Sequence, residues 1–261
     1  MPFDKSVADV KFLRGDYEGA ASMYLEGARD GDALASFNYG YMLWRGLGVE
    51  KNAAEAKSFF AFSREMNGGE ACYNLAVMYL TGDGVLRDYK KAVEYMTLSA
   101  NQGCIEAQLY MGVASTQGCV FEPDIVGICM IPCHKPEYGQ EYFALSGDIG
   151  DIDAFELDEE LRYNAVKQDA RAAFEWFQMA ARHDPTYVEE LSAKGKYLYA
   201  RCYVDGLGTD YDRDKSLRLM ALAGKAGSEE AILYFKENGI TPEMLSNLTK
   251  TQRLIGGKRG R

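Results

Sequence analysis

Residues 88–103 read DYKKAVEYMTLSANQG. Asp88 is followed four positions on by a small residue, Ala92, and at seven and eight by two bulky apolar residues, Tyr95 and Met96. Those offsets lie on one face of a helix. An Asp before the first turn is a good N-cap, because its carboxylate accepts from a backbone N–H that has no intrahelical partner. The same pattern occurs in Asp16, Ala20, Met23, Tyr24 and in Asn52, Ala56, Phe59, Phe60. It returns later as Asp169, Ala173, Trp176, Phe177 and as Asp212, Ser216, Leu219, Met220. The first three starts are 36 residues apart with no gap. A fixed period of this size marks a stacked-repeat architecture, in which each unit buries its apolar face against the next.

Asn52 with Glu55 adds an expected capping box. The helices should stop near Gly31, Asn67, Gly103 and Gly227, residues that suit a left-handed C-terminal cap. A second helix is expected after each stop. Its pattern is Ala35-x-Phe37-Asn38-Tyr39-Gly40-x-Met42, repeated around Ala71, Ala107 and Gly195. Small residues at fixed positions let a neighbouring helix come close. This helix should end at Gly46, Gly82, Gly118 and Gly206, three of which read Gly-x-Gly. A Gly-x-Gly after a helix, with no preceding strand, is a turn signal and not a phosphate loop.

The Ala-x-Tyr-Asn-Leu helix, the Gly-x-Gly-Val turns at 46–49 and 82–85, the Asp cap and the Lys91-Ala92 pair resemble Sel-one-like repeats, relatives of the tetratricopeptide repeat. The resemblance covers about 180 of the 261 residues, chiefly 16–118 and 166–235. It implies an all-α, right-handed superhelical solenoid of antiparallel helix pairs, and a role as an adaptor or scaffold that binds other proteins. Some secreted members of the family carry regularly spaced disulfides within each helix pair, a pattern this chain lacks.

The frame predicts a leading half-repeat at 5–31 and repeats at 32–66, 67–103, 104–183 and 184–227. A C-terminal cap at 228–250 and a basic tail at 251–261 complete one solenoid. It fails once: Val166 is the counterpart of Val85, which leaves an insertion at 119–163. Insertions in solenoids collect on one face and often carry function. A smaller excess before Lys194 should lengthen that helix back toward Pro185.

Net charge is −10 and pI about 4.9. That balance disfavours nucleic acid and anionic membrane as partners. The N-terminus MPFDKSVADV has no apolar core of a signal sequence, and no run of 18 apolar residues occurs. A cytoplasmic protein with six reduced cysteines is expected.

Cys119, Cys129, Cys133 and His134 bring zinc-type donors into the insertion. Structural zinc sites use pairs two to four apart, and adjacent Cys133 and His134 are badly placed to face one metal. A packed loop without cofactor is therefore the expectation, with a metal-binding or regulatory module as the alternative. The carboxylates from Asp148 to Glu160 do not fit an EF-hand loop and read as a solvated acidic face. His183 falls at a helix C-terminus, where a cation suits the dipole. No nucleophile elbow, Walker loop or zinc-protease motif appears, so no catalytic residue is assigned. A hydrolase built on groove carboxylates stays as a distant second alternative.

The better candidate is a column on the Ala35-type helices that should face outward along the concave surface. It runs Leu34, Asn38, Tyr41, Arg45, then Glu70, Asn74, Val77, Thr81, then Glu106, Tyr110, Val113, Gln117. It continues with Lys194, Leu198, Arg201, Asp205 and with Glu230, Tyr234, Glu237. Asn38, Tyr41, Arg45, Asn74, Val77, Tyr110, Gln117, Arg201 and Tyr234 are the expected groove residues for a peptide or protein partner. An Asn side chain offers a donor and an acceptor, matching a peptide group. Related tetratricopeptide grooves hold a ligand's backbone at the place of Asn38 and Asn74. The other reading makes these Asn residues packing or turn-bonding groups.

Overall fold

A computed structural model describes residues 3–65, 68–120, 165–183, 189–241 and 244. The described residues form eleven helices and no strand. The chain divides into two compact units, 1–168 and 169–261. Unit 1 holds α1 (Lys5–Leu13), α2 (Tyr17–Arg29), α3 (Ala33–Arg45), α4 (Ala53–Glu65), α5 (Gly69–Thr81), α6 (Tyr89–Asn101) and α7 (Ile105–Gln117). Unit 2 holds α8 (Ala170–Ala180), α9 (Glu189–Asp205), α10 (Arg213–Lys225) and α11 (Glu229–Glu237). Consecutive helices pack against one another within each unit, the arrangement of an α-solenoid. We call α3, α5, α7, α9 and α11 the A helices, and α2, α4, α6, α8 and α10, which open on the five Asx residues, the B helices.

All five Asx caps form. Asp16 accepts from Gly19 N at 3.0 Å, Asn52 from Glu55 N at 3.1 Å and Asp88 from Lys91 N at 3.0 Å. Asp169 accepts from Ala172 N at 3.0 Å and Asp212 from Lys215 N at 2.9 Å. The capping box at Asn52 closes differently from expectation. Glu55 takes the Asn52 side-chain amide at 2.9 Å, because the Asn52 backbone N–H is already committed to Leu43 O at 2.9 Å. That backbone bond is a rule of the fold. Asp88 N reaches Tyr79 O at 3.0 Å and Asp212 N reaches Tyr203 O at 2.9 Å, so each turn is tied back to its A helix.

The B-helix face reads as the sequence pattern demands. The small residue at +4 is fully buried in every copy: Ala20, Ala56, Ala92, Ala173 and Ser216. So is the bulky one at +8: Tyr24, Phe60, Met96, Phe177 and Met220. The +7 residues are half-buried at the edge of this face. Small A-helix residues lie opposite. A methyl on Gly40 would stand 3.0 Å from Phe59 Cβ and 3.2 Å from Phe60 Cε1. Ser replaces Ala at 216 because its hydroxyl donates to Ala200 O at 2.8 Å. Lys at +3 has its own role, since Lys91 sits 5.4 Å from the Tyr79 ring centre and Lys215 4.3 Å from that of Tyr203.

Gly46, Gly82, Gly118 and Gly206 all adopt the left-handed conformation. The second glycine of each Gly-x-Gly does more. At Gly84 a methyl would meet Ala53 backbone C at 2.5 Å, and Gly48 and Gly208 press on the starts of α2 and α8 in the same way. Between the two glycines, Asp83 accepts from Trp44 Nε1 at 2.9 Å and from Lys51 Nζ at 3.1 Å, joining successive repeats.

Both ends of the insertion keep repeat geometry. Gln168 packs on Gly118 and donates to Thr116 O at 3.0 Å. Arg87 stands likewise beside Gly82 and donates to Thr81 O at 3.0 Å. Val120, at the start of the insertion, and Val166, just after it, are both buried. Residues 121–164, with Cys129, Cys133, His134 and the acidic run, lie outside the described residues, as do Asn67, Pro185 and the basic tail. Helix α9 has 17 residues where α3, α5 and α7 have 13 each, in line with the expected lengthening. Near the C-terminus Met244 N donates to Thr241 Oγ1 at 3.3 Å.

Candidate functional site

The 36-residue period puts the candidate column in register on α3, α5 and α7 of unit 1. Asn38, Asn74 and Tyr110 occupy one level, Tyr41, Val77 and Val113 the next, and Arg45, Thr81 and Gln117 the last. The centre of the column is not open to solvent as the sequence suggests. Asn38, Tyr41, Asn74, Val77 and Tyr110 are buried, and Asn38 and Asn74 have no exposed surface. The reason lies in the helices. Residues 35–44 and 71–80 are buried without a break, so α3 and α5 are covered on every side and not on one stripe. Two amides at equivalent positions in such surroundings must be hydrogen-bonded to be tolerated, and both have partners. Arg45 and Gln117 are exposed at the helix C-termini.

In unit 2 the column is half-exposed. Arg201 donates to Asp205 through Nε at 3.0 Å and Nη2 at 3.2 Å, and to Tyr197 OH at 3.2 Å. Tyr234 is half-buried on α11, its ring 6.3 Å from that of Phe235. Arg201 is therefore preorganised along α9, presenting a guanidinium whose charge is already shared with Asp205.

The first turns of the column carry Glu70 and Glu106. Cys104 Sγ donates to Glu106 Oε2 at 3.1 Å. Burial, joined by the like charge of Glu70, raises the Glu106 pKa above its ordinary value of 4.5. A raised carboxyl pKa means that stability is full below the unfolded value and declines as pH rises through the folded one. Glu106→Gln should thus raise the melting temperature at pH 7, and the gain should vanish below about pH 4. A melting series over pH, followed by circular dichroism, checks both halves.

The remaining candidates carry less chemistry. Burial, then Lys196, lowers the His183 pKa below its ordinary value, which works against the protonated form that the charge–dipole role needs. Its carbonyl instead accepts from Ser192 Oγ at 2.9 Å. Cys72 and Cys202 are buried, as expected of small core residues, with thiols pushed up to about 11 and about 12. Cys119 is buried beside Gln117, whose amide oxygen is 3.8 Å from its sulfur. Among the described residues no three His, Cys, Asp or Glu groups are placed to hold a metal ion, and no helix is long and apolar enough to cross a membrane.

The Sel1 repeat family model matches residues 33–67, 69–104, 162–185 and 193–228, half of the chain. A Sel1 repeat protein from Oxalobacter formigenes has a similar fold, with a TM-score of 0.64 and 18% identity over 90% of this chain and 75% of that one. The c5321 protective antigen of uropathogenic Escherichia coli strains, which displays an SLR fold, gives 0.63 and 19% identity. That match covers 98% of this chain and 46% of the antigen, so the chain spans about half the antigen's length. No curated protein sequence matches the chain significantly.

Proposed function

Because this chain belongs to the Sel1 repeat family, we propose that it is a protein–protein interaction scaffold whose receptor surface is the A-helix column of unit 1. Sel1 repeats generally mediate contacts between proteins. The observation that carries the assignment is the pair Arg45 and Gln117, exposed at the same helical level two repeats apart, at the ends of α3 and α7. A guanidinium and a side-chain amide there offer a charge, donors and an acceptor to an extended segment laid across the A-helix ends, while Asn38 and Asn74, buried and bonded, belong to the packing beneath. Exposed Arg45 and Gln117 meet the partner, with Tyr41, Val77 and Tyr110 buried in the core beneath them. Arg201 and Tyr234 give unit 2 a binding element of its own. A reducing cytoplasmic compartment suits the four described cysteines, all buried and free.

The test is selection of binders from a random displayed-peptide library on the full chain, followed by titration of synthetic peptides. Arg45→Glu combined with Gln117→Glu alters two exposed side chains and should leave the helical signal intact. Peptides selected on the wild type should bind this variant at least about tenfold more weakly, the scale expected when one charged side chain no longer meets its ligand. Equal affinity for both proteins, or a library that yields no binder, would refute the assignment.

A further inference from the structure

The outermost face of every B helix runs through positions +6, +10 and +13 from the cap. In unit 1 these are Ser22, Glu26, Arg29, then Ser58, Phe62, Glu65, then Glu94, Leu98, Asn101, and all are exposed. The middle position needs no apolar residue for the fold, yet four of five copies have one. Phe62 is 41% exposed, Leu98 39% and Leu222 53%, with Met179 half-buried at the same level. Arg64 of α4 lies over the Tyr95 ring of α6, so the Phe62 and Leu98 helices are side by side. Arg171 of α8 donates to Gly208 O, in the turn leading to α10, at 3.4 Å, and Gly208 presses on Ala170, so α10 begins beside the start of α8 and carries Leu222 at the position equivalent to Met179. Each unit therefore carries an apolar ridge across two neighbouring B helices.

The ridges differ in charge. In unit 1 the flanking acids are Glu65 and Glu94; of the cations on that face of α6, Lys91 is tied to Asp88 at 3.3 Å and Lys90 stands one turn before Glu94, which leaves the flanks net negative. In unit 2 the flanks are Arg182, Arg218 and Lys225; of the acids on that face, Glu175 is paired with Arg171 at 2.8 Å and Asp214 stands one turn before Arg218, which leaves the flanks net positive. Glu65, Glu94, Arg218 and Lys225 enter no ion pair among the described residues. An apolar ridge with acidic flanks and one with basic flanks are complementary in both the hydrophobic and the electrostatic sense.

We propose that the two ridges join copies of this chain, the Phe62–Leu98 ridge of one molecule seating on the Met179–Leu222 ridge of another. The contact is heterologous, so it closes into a ring or continues as an open chain. It uses the B helices, and it stands or falls independently of peptide binding on the A helices.

Sedimentation equilibrium on the full chain tests it. Self-association is expected in the micromolar range, weaker at high salt because the flanks are screened. Phe62→Ser and Leu222→Ser, both at exposed positions, should each shift the protein to monomer with unchanged helical signal. An equal mixture of the two variants should recover a dimer, since each retains the ridge the other lacks. A wild type that remains monomeric at high concentration, association unaffected by either substitution, or a mixture that stays monomeric would each overturn the proposal.

Discussion

Gly84→Ala should destabilise unit 1 by roughly 3 kcal/mol, whereas Gly31→Ala should cost only about 1 kcal/mol. Both glycines have positive φ, +74° and +86° respectively, so both variants incur the left-handed penalty of an L side chain. They differ in what surrounds them. Around Gly31 a methyl group meets nothing within 4 Å. At Gly84 it meets the Ala53 backbone carbon and Cβ, both at 2.5 Å. The start of α4 must then withdraw from the turn, and the bond from Trp44 Nε1 to Asp83 next door is strained as well. Trp44 is almost wholly buried, so an indole N–H that loses its acceptor has no water to turn to. Urea denaturation of the two variants checks the ranking. Equal losses would mean that the turn is free to move and that close approach is not what Gly84 supplies.

Phe60→Ala is expected to cost about 4 kcal/mol, and Phe62→Ala, two residues away, less than about 0.5 kcal/mol. Phe60 has no exposed surface. Its ring lies 5.6 Å from Phe37 and 5.8 Å from Trp44, centre to centre, so removing it opens a cavity between α3 and α4. Phe62 points away from that core and is 41% exposed, so its truncation opens no cavity and costs little when the protein is dilute. Thermal melts at low concentration separate the two. A large loss at 62 or a small one at 60 would put the register of the B helices in error by half a turn.

The 36-residue period made most of the fold legible, for a physical reason. Cap, small residue and bulky residue are local requirements that each repeat meets separately, and the five caps, the five +4 residues and the four A-helix terminal glycines stand where their types demand. What stayed hidden depends on packing between elements. Nothing in the string Gly82-Asp83-Gly84 says that Asp83 receives a tryptophan 39 residues upstream. The A-helix column was legible as a column, but its exposure was not, because α3 and α5 are covered on every side and periodicity reports only the stripe that must be buried. The outward residues Phe62, Leu98 and Leu222 left a trace in the sequence, an apolar residue at +10. That trace is invisible to a reading that stops at +8. Within the A helices, Asn38 and Asn74 announced themselves by chemistry, as polar residues in an apolar run.

The scaffold assignment is tested most directly by photo-crosslinking. A benzophenone amino acid is placed at position 45, at the end of the A-helix column, or at position 58, on the exposed face of α4. Each protein is irradiated with a peptide selected on the wild type, and the adducts are identified by mass spectrometry. Attachment at 45 and none at 58 is the predicted result. Attachment at 58 with position 45 silent would show that the partner rides on the B helices, and the A-helix column would cease to be the receptor surface.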